Sequence, residues 1–281
     1  MKAGLATKGW TDHRLLEKMA LKAEELGFDS FLVTDHFMLS SGNSNVDAWT
    51  LLPYLAAKTS TIRLGTCVTP IPFRHPPLMA KMLATADVLS GGRMILGSGL
   101  GWNRAEFEAF STWRSLPERA AMTKEALELM TLLWTSGEPV DFSGRFLTVK
   151  GAVVEPKPIQ KPYPPIWFGA MAPFHLGLAG RFGRGWIPVG PRWASSADVS
   201  PDGYRQMKGI IEGELRRREA PPKDFVFSIL IGATDVKTLR SDVDRYIAAG
   251  MNYFILGQPR GANEGFLGEL ETIAKDVVSS L

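Results

Sequence analysis

The feature that most constrains this 281-residue chain is a rhythm. Eight times, a short apolar run of strand length is followed by a longer stretch with helical period. The strands are predicted at Lys2–Thr7, Asp29–Thr34, Ile62–Thr69, Arg93–Ser98, Pro165–Ala170, Trp186–Val189, Phe225–Ile231 and Asn252–Leu256. The helices are predicted at Asp12–Leu26, Asp47–Thr59, Pro76–Leu89, Leu116–Ser136, Pro173–Phe182, Asp202–Glu219, Asp235–Ala249 and Glu264–Leu281. Gly27 and Gly250 stop two of these helices, and the pair Pro76-Pro77 starts another. Eight strand–helix units are the number that closes a (β/α)8 barrel. An open doubly wound sheet is the alternative, because alternation alone does not separate closed from open.

The expected fold is therefore α/β, a single (β/α)8 TIM barrel over residues 1–281. The rhythm breaks once. Glu138–Pro156 carries β-type patches around Phe142 to Phe146, and Pro156–Pro165 is rich in proline. Residues 138–165 are read as a hairpin-like insertion and loop after the fourth helix, within the barrel.

Composition removes several function classes. Hydrophobic residues at 45% and charged residues at 22% allow a sizeable soluble core. The net charge of +3 is spread out, and its densest cluster, Arg216 to Arg218, falls in a predicted helix. That reads as a solvated face, so no nucleic-acid partner is expected. Cys67 is the one cysteine, which excludes an internal disulfide or a cysteine-based metal site. The four histidines, His13, His36, His75 and His175, show no metal-ligand spacing, so no metal is expected. Met1 to Thr7 lacks the length and flanks of a signal peptide. No stretch approaches the ~18 apolar residues of a membrane span. The expectation is a cytoplasmic enzyme with a small-molecule substrate.

In such a barrel the chemistry sits in the loops after the strands. The second strand delivers Asp35-His36, the one adjacent pair of titratable groups at a strand end. A histidine there suits proton transfer or contact with a ring, with a structural Asp–His pair as the alternative. The third strand delivers Thr66, Cys67 and Val68. Cys67 lies in an apolar run with no base beside it and is read as an unreactive thiol. The fourth strand runs into Gly97, Gly99 and Gly101, then Trp102 and Asn103. Alternating glycines let a planar ligand or another backbone approach closely, and a tight turn is the alternative. The G-x-G-x-G spacing with no immediate helix departs from a dinucleotide fingerprint. Gly169, Ala170 and Met171 precede a helix starting near Pro173, where free backbone N–H groups suit a phosphate. Trp102, Trp167, Trp186 and Trp193 fall near strand ends, placed either to stack on a flat cofactor or to fill core. Glu106 and Glu118 form no convincing pair for glycoside hydrolysis.

These pieces together resemble the luciferase-like monooxygenase superfamily, and within it the deazaflavin (coenzyme F420)-dependent oxidoreductases. The motifs run in order from about residue 20 to 190. They are Ala23-Glu24-Glu25-Leu26-Gly27-Phe28-Asp29-Ser30, Val33-Thr34-Asp35-His36, Ile62-Arg63-Leu64-Gly65-Thr66 and Pro72-Phe73-Arg74-His75-Pro76-Pro77. They continue with Asp87-Val88-Leu89-Ser90-Gly91-Gly92-Arg93, Leu96 through Asn103, Pro156 through Pro162, and Pro164-Pro165-Ile166-Trp167.

The resemblance implies a (β/α)8 barrel, often dimeric, with a deazaflavin or FMN lying across the strand C-termini. It implies a non-proline cis peptide in the third strand, falling here at Cys67-Val68. It places Asp35 and His36 near the ring as the catalytic pair. It assigns Thr66, Cys67, Val68, Gly97, Gly99, Gly101, Trp102 and Asn103 to the cofactor pocket, and Gly169-Ala170-Met171 to its phosphate. Two positions depart from the family pattern. Gly183-Arg184-Gly185-Trp186 stands where Gly-Asp-Gly-Trp is usual, so Arg184 either replaces a structural aspartate or meets the anionic tail of a deazaflavin. Trp102 stands where several deazaflavin enzymes carry a glutamate, so a mechanism using that acid is not expected. The leading reading is hydride transfer with coenzyme F420. An FMN-dependent monooxygenase and a non-catalytic flavin-binding protein are the alternatives.

Overall fold

The computed structural model describes residues 1–9, 12–38, 45–194, 198–259 and 261–281. Its strands are β1 (Lys2–Ala6), β2 (Ser30–Val33), β3 (Arg63–Thr66), β4 (Thr69–Pro70), β5 (Met94–Gly99), β6 (Val140–Ser143), β7 (Thr148–Ala152), β8 (Ile166–Phe168), β9 (Gly185–Trp186), β10 (Val226–Gly232) and β11 (Tyr253–Gly257). Its α-helices are α1 (His13–Glu25), α2 (Ala48–Lys58), α3 (Pro76–Leu89), α4 (Arg104–Phe110), α5 (Leu116–Thr135), α6 (Pro173–Phe182), α7 (Pro201–Arg217), α8 (Val236–Ala248) and α9 (Gly265–Asp276).

The main sheet runs β3-β2-β1-β11-β10-β9-β8-β5, and β5 pairs back onto β3. Every pairing in it is parallel, and β4 continues the β3 position against β5. The sheet is thus a closed eight-stranded TIM barrel, and the open-sheet alternative is excluded. β6 and β7 form a separate antiparallel pair between α5 and β8.

Local chemistry accounts for the elements. The strands are buried on both faces, which is why they read as near-continuous apolar runs. In α1 the buried residues Leu15, Leu16, Met19, Ala20 and Ala23 recur at helical spacing on one face, and Asp12 caps the helix by accepting from Arg14 N at 2.9 Å. Ser115 and Glu118 close a capping box at the start of α5. The structure adds one helix that periodicity missed, the seven-residue α4.

Two cores result. The larger lies between strands and helices, and the smaller fills the barrel with Ala6, Leu32, Ile95, Trp167, Ile187, Leu230, Tyr253 and Ile255. Two residues further along four of these strands, at the next inward position, stand Gly97, Gly169, Gly232 and Gly257. On these four strands the floor of the barrel mouth therefore carries no side chain of its own.

Candidate active site at the barrel mouth

The glycine layer is filled by side chains and backbone arriving from loops. Val68 lies 3.1 Å from where a Cβ would stand on Gly97 and on Gly169, and 2.5 Å from the same point on Gly99. On the opposite strands, the Trp193 ring occupies the space of a Gly257 side chain, and the Arg192 carbonyl oxygen takes that of Gly232 at 2.5 Å. Arg192 has a φ of 64°, which turns the chain so that Trp193 reaches the barrel. The Lys8 ammonium lies over the Trp193 ring at 4.7 Å and donates to the Trp193 carbonyl oxygen. Gly101, at φ 76°, makes the turn that leads out of β5, and a Cβ on it would overlap the Phe107 ring.

The Cys67–Val68 peptide is cis, at the position the resemblance implies. Cys67 is partly exposed, yet the protein packed around it pushes its thiol up to about 12. At neutral pH it is a protonated, weakly reactive group. Thr66 is fully buried and bridges β3 to β5, its Oγ1 accepting from Gly97 N and donating to Gly97 O, both at 3.2 Å.

His36 and Asp35, adjacent in sequence, part company in space. Asp35 is 2% exposed. Arg74 holds its carboxylate from Nε at 3.0 Å and Nη2 at 2.6 Å, and Thr69 Oγ1 donates to it at 2.8 Å. Arg74 Nη2 also reaches Asp47, the cap of α2, at 2.8 Å. Burial works against the Arg74 charge, but Asp35 and Asp47 hold the guanidinium above its ordinary value. The expected catalytic role of Asp35 therefore gives way to a structural one: both its oxygens are engaged, and it anchors the loop after β3.

His36 remains at the mouth with its side chain 18% exposed. Its Nδ1 lies 2.9 Å from Glu106 Oε2. Glu106 is 2% exposed, and its Oε1 accepts from Phe37 N and, at 3.2 Å, from Met38 N. The Trp102 ring meets His36 edge-on, with centroids 5.5 Å apart and planes at 70°, and is itself 65% exposed. Asn103 is buried, and its Nδ2 donates to Met38 O at 3.1 Å, so it ties the two loops together. Sequence reasoning weighed Glu106 only as a hydrolase acid. Asn103 precedes α4 and Glu106 is its third residue, but Asn103 makes no side-chain cap bond, so the polar-x-x-Glu spacing marks a helix start and does not point to His36.

The fifth-strand expectation finds Gly169 N donating to Ser98 O at 2.9 Å and Ala170 O accepting from Trp186 Nε1 at 2.7 Å. Ala170 is fully buried, Met171 is partly buried, and α6 begins two residues later with no side-chain cap. Arg184 is a correction. It lies immediately before β9, at the N-terminal end of the barrel, and its Nη2 bonds Asp224 at 3.1 Å. A side chain at that end does not reach a cofactor at the strand C-termini. It borders instead a surface hollow of about 590 Å3 with Pro162, Tyr163, Arg218 and Pro221. Of the four tryptophans, Trp167 and Trp186 are fully buried and fill core, whereas Trp102 and Trp193 stand at the mouth. The loops that would select a substrate, near Ser40–Asn45 and Pro191–Pro201, carry no readable code in the sequence and lie partly outside the described residues.

Two polar side chains at this end of the barrel carry unmet donors. Gln258, at the end of β11, is 1% exposed, and its Nε2 has no acceptor among the described residues. Asn45 Nδ2, before α2, is in the same position. A buried donor left unpaired is costly unless a ligand or water meets it. No His, Cys, Asp or Glu cluster suited to a metal occurs among the described residues, and no described helix is long and apolar enough to cross a membrane.

The sequence pattern of the luciferase-like monooxygenases matches residues 3–275. An F420-dependent glucose-6-phosphate dehydrogenase of Microbacterium testaceum is 38% identical over 168 residues, covering 59% of this chain and 49% of that protein. The chain spans about half the length of the curated relatives it matches. In structure it superposes on an F420-dependent secondary alcohol dehydrogenase in complex with an F420-acetone adduct, with a TM-score of 0.86 at 22% identity over 100% of this chain and 99% of the other. A Streptomyces bottropensis monooxygenase superposes with a TM-score of 0.78 at 20% identity, over 100% and 99% of the two chains. At these identities the superpositions establish the fold.

Proposed function

This chain belongs to the luciferase-like monooxygenase family, and from that premise we propose that it is an F420-dependent oxidoreductase moving a hydride between the deazaflavin and a small organic alcohol or carbonyl compound. The observation that carries the reading is His36, a proton-exchanging group held at a glycine-floored mouth. The choice of cofactor is supported by the curated relatives, which are F420-dependent dehydrogenases. When bound, a deazaflavin supplies a hydride acceptor or donor that reacts poorly with oxygen, and the protein supplies binding, orientation and the proton.

The chain's own residues divide the work as follows. Val68 and Trp193 form the floor on which a flat ring would rest, and Gln258 Nε2 offers it a donor. The backbone at Met171, ahead of the uncapped α6, would receive the phosphate. His36 takes the hydroxyl proton of an alcohol as its carbon is oxidised, and returns it to the carbonyl oxygen in reverse. Trp102 walls His36 with an apolar edge, which favours an uncharged substrate over a sugar phosphate. A homodimer is part of the proposal. Leu78 and Leu89, three turns apart on α3 and 58% and 68% exposed, supply apolar surface for it, and light scattering reads the mass.

The test is titration of the purified protein with coenzyme F420 and with FMN, followed by quenching of tryptophan fluorescence. Tight binding of F420 alone is expected. Tight binding of FMN alone overturns the deazaflavin reading in favour of oxygen-dependent monooxygenation, the activity named for the S. bottropensis neighbour.

A further inference from the structure

Glu106 makes three contacts that together decide which nitrogen of His36 carries a proton. One carboxylate oxygen, Oε1, faces the backbone N–H groups of Phe37 and Met38. Backbone N–H groups only donate, so this oxygen is an acceptor. The other oxygen, Oε2, faces His36 Nδ1 at 2.9 Å. A carboxylate oxygen accepts, so Nδ1 donates. Asn103 fixes the same loop from the other side through Met38 O, and Trp102 abuts the ring edge. The imidazole is clamped, with Nε2 left for the mouth.

We infer that Glu106 is a positioning residue that holds neutral His36 as its Nδ1–H tautomer, so that Nε2 presents a lone pair to the substrate. The inference rests on the proposed oxidoreductase reading for its consequence. As an alcohol is oxidised, its O–H bond breaks and the proton passes to Nε2, and a bound deazaflavin would take the C–H electron pair as hydride. In the reverse direction the Nε2 proton moves to the carbonyl oxygen as the hydride arrives. Either direction requires that Nε2, not Nδ1, be the exchanging nitrogen.

The hydrogen-bond arrangement gives Glu106→Gln an unusual outcome. The two backbone N–H groups require the amide oxygen of the glutamine, which turns its NH2 toward His36 Nδ1. An NH2 group donates, so Nδ1 becomes the acceptor and the proton moves to Nε2. The substitution therefore reverses the tautomer with almost no change of volume.

Two-bond 1H–15N spectra of 15N-histidine-labelled protein, without cofactor or substrate and with the ring neutral, read the tautomer directly. The His36 signals are assigned by their loss in His36→Gln. The expected result is Nδ1–H in the wild type and Nε2–H in Glu106→Gln, with turnover down about 100-fold and F420 affinity unchanged. An Nε2–H wild type, or the same tautomer in both proteins, overturns the inference. Should the variant fail to fold, the wild-type spectrum alone still decides. Because the spectra need no cofactor, a chain that shows the tautomer but does not bind F420 refutes only the functional reading.

Discussion

His175 offers a quantitative test of the packing behind the mouth. It sits in α6, 3% exposed, with its ring edge-on to Phe168 at 5.5 Å and its Nε2 without a partner among the described residues. Burial alone lowers the imidazole from 6.5 to about 4. Between those values the unfolded chain binds the proton and the folded chain does not. Stability therefore rises with pH across that window, is complete above 6.5, and is lost as pH falls toward about 4. Linkage gives a loss of about 2 kcal/mol on going from pH 7 to pH 5. Other carboxylates titrate in the same range, so the measurement is a double difference: urea unfolding of wild type and His175→Leu at both pH values. Leucine keeps the position apolar and removes the orphaned nitrogen, so the variant is expected to match or exceed wild-type stability at pH 7. Its advantage should grow by about 2 kcal/mol at pH 5. An unchanged difference between the two pH values refutes the argument that this histidine is buried neutral.

Three further outcomes are expected. Gly97→Ala drives a Cβ into the Thr66 carbonyl oxygen across rigid barrel strands and should cost about 3 kcal/mol or more, read as a lowered melting temperature. Arg74→Ala leaves Asp35 buried and unpaired at a cost of about 3–5 kcal/mol in denaturant unfolding, and adding Asp35→Asn should recover part of it. Cys67, with its thiol pushed up to about 12, should alkylate with iodoacetamide far more slowly than a free thiol at pH 8, and rapid labelling would remove the case for an inert cysteine.

The barrel was legible because its strands are apolar on both faces and its helices carry ordinary caps and stops. Periodicity missed α4 because seven residues barely contain two turns of pattern. The candidate site was legible only in part. Adjacency in sequence put Asp35 and His36 together, but alternation along a strand sends neighbours to opposite faces, and Asp35 follows Phe31 and Val33 toward the helices. Arg184 was misplaced for a related reason. Its position before a strand, not after one, sends it to the wrong end of the barrel, and charge alone carries no information about which end. Glu106 was missed because its partner lies 70 residues away, and no local spacing encodes a contact between two loops.

The floor of the mouth has one more consequence, for how such a protein changes. Three barrel strands end in glycine and a fourth is followed by one, and the relief above them is drawn by Val68 and Trp193, both carried on connecting segments. The hydrogen-bonded frame and the contour a ligand meets are thus encoded in separate stretches of chain. Enlarging or trimming those two side chains would reshape the floor under the proposed cofactor ring while the inter-strand hydrogen bonds of the barrel stay in register.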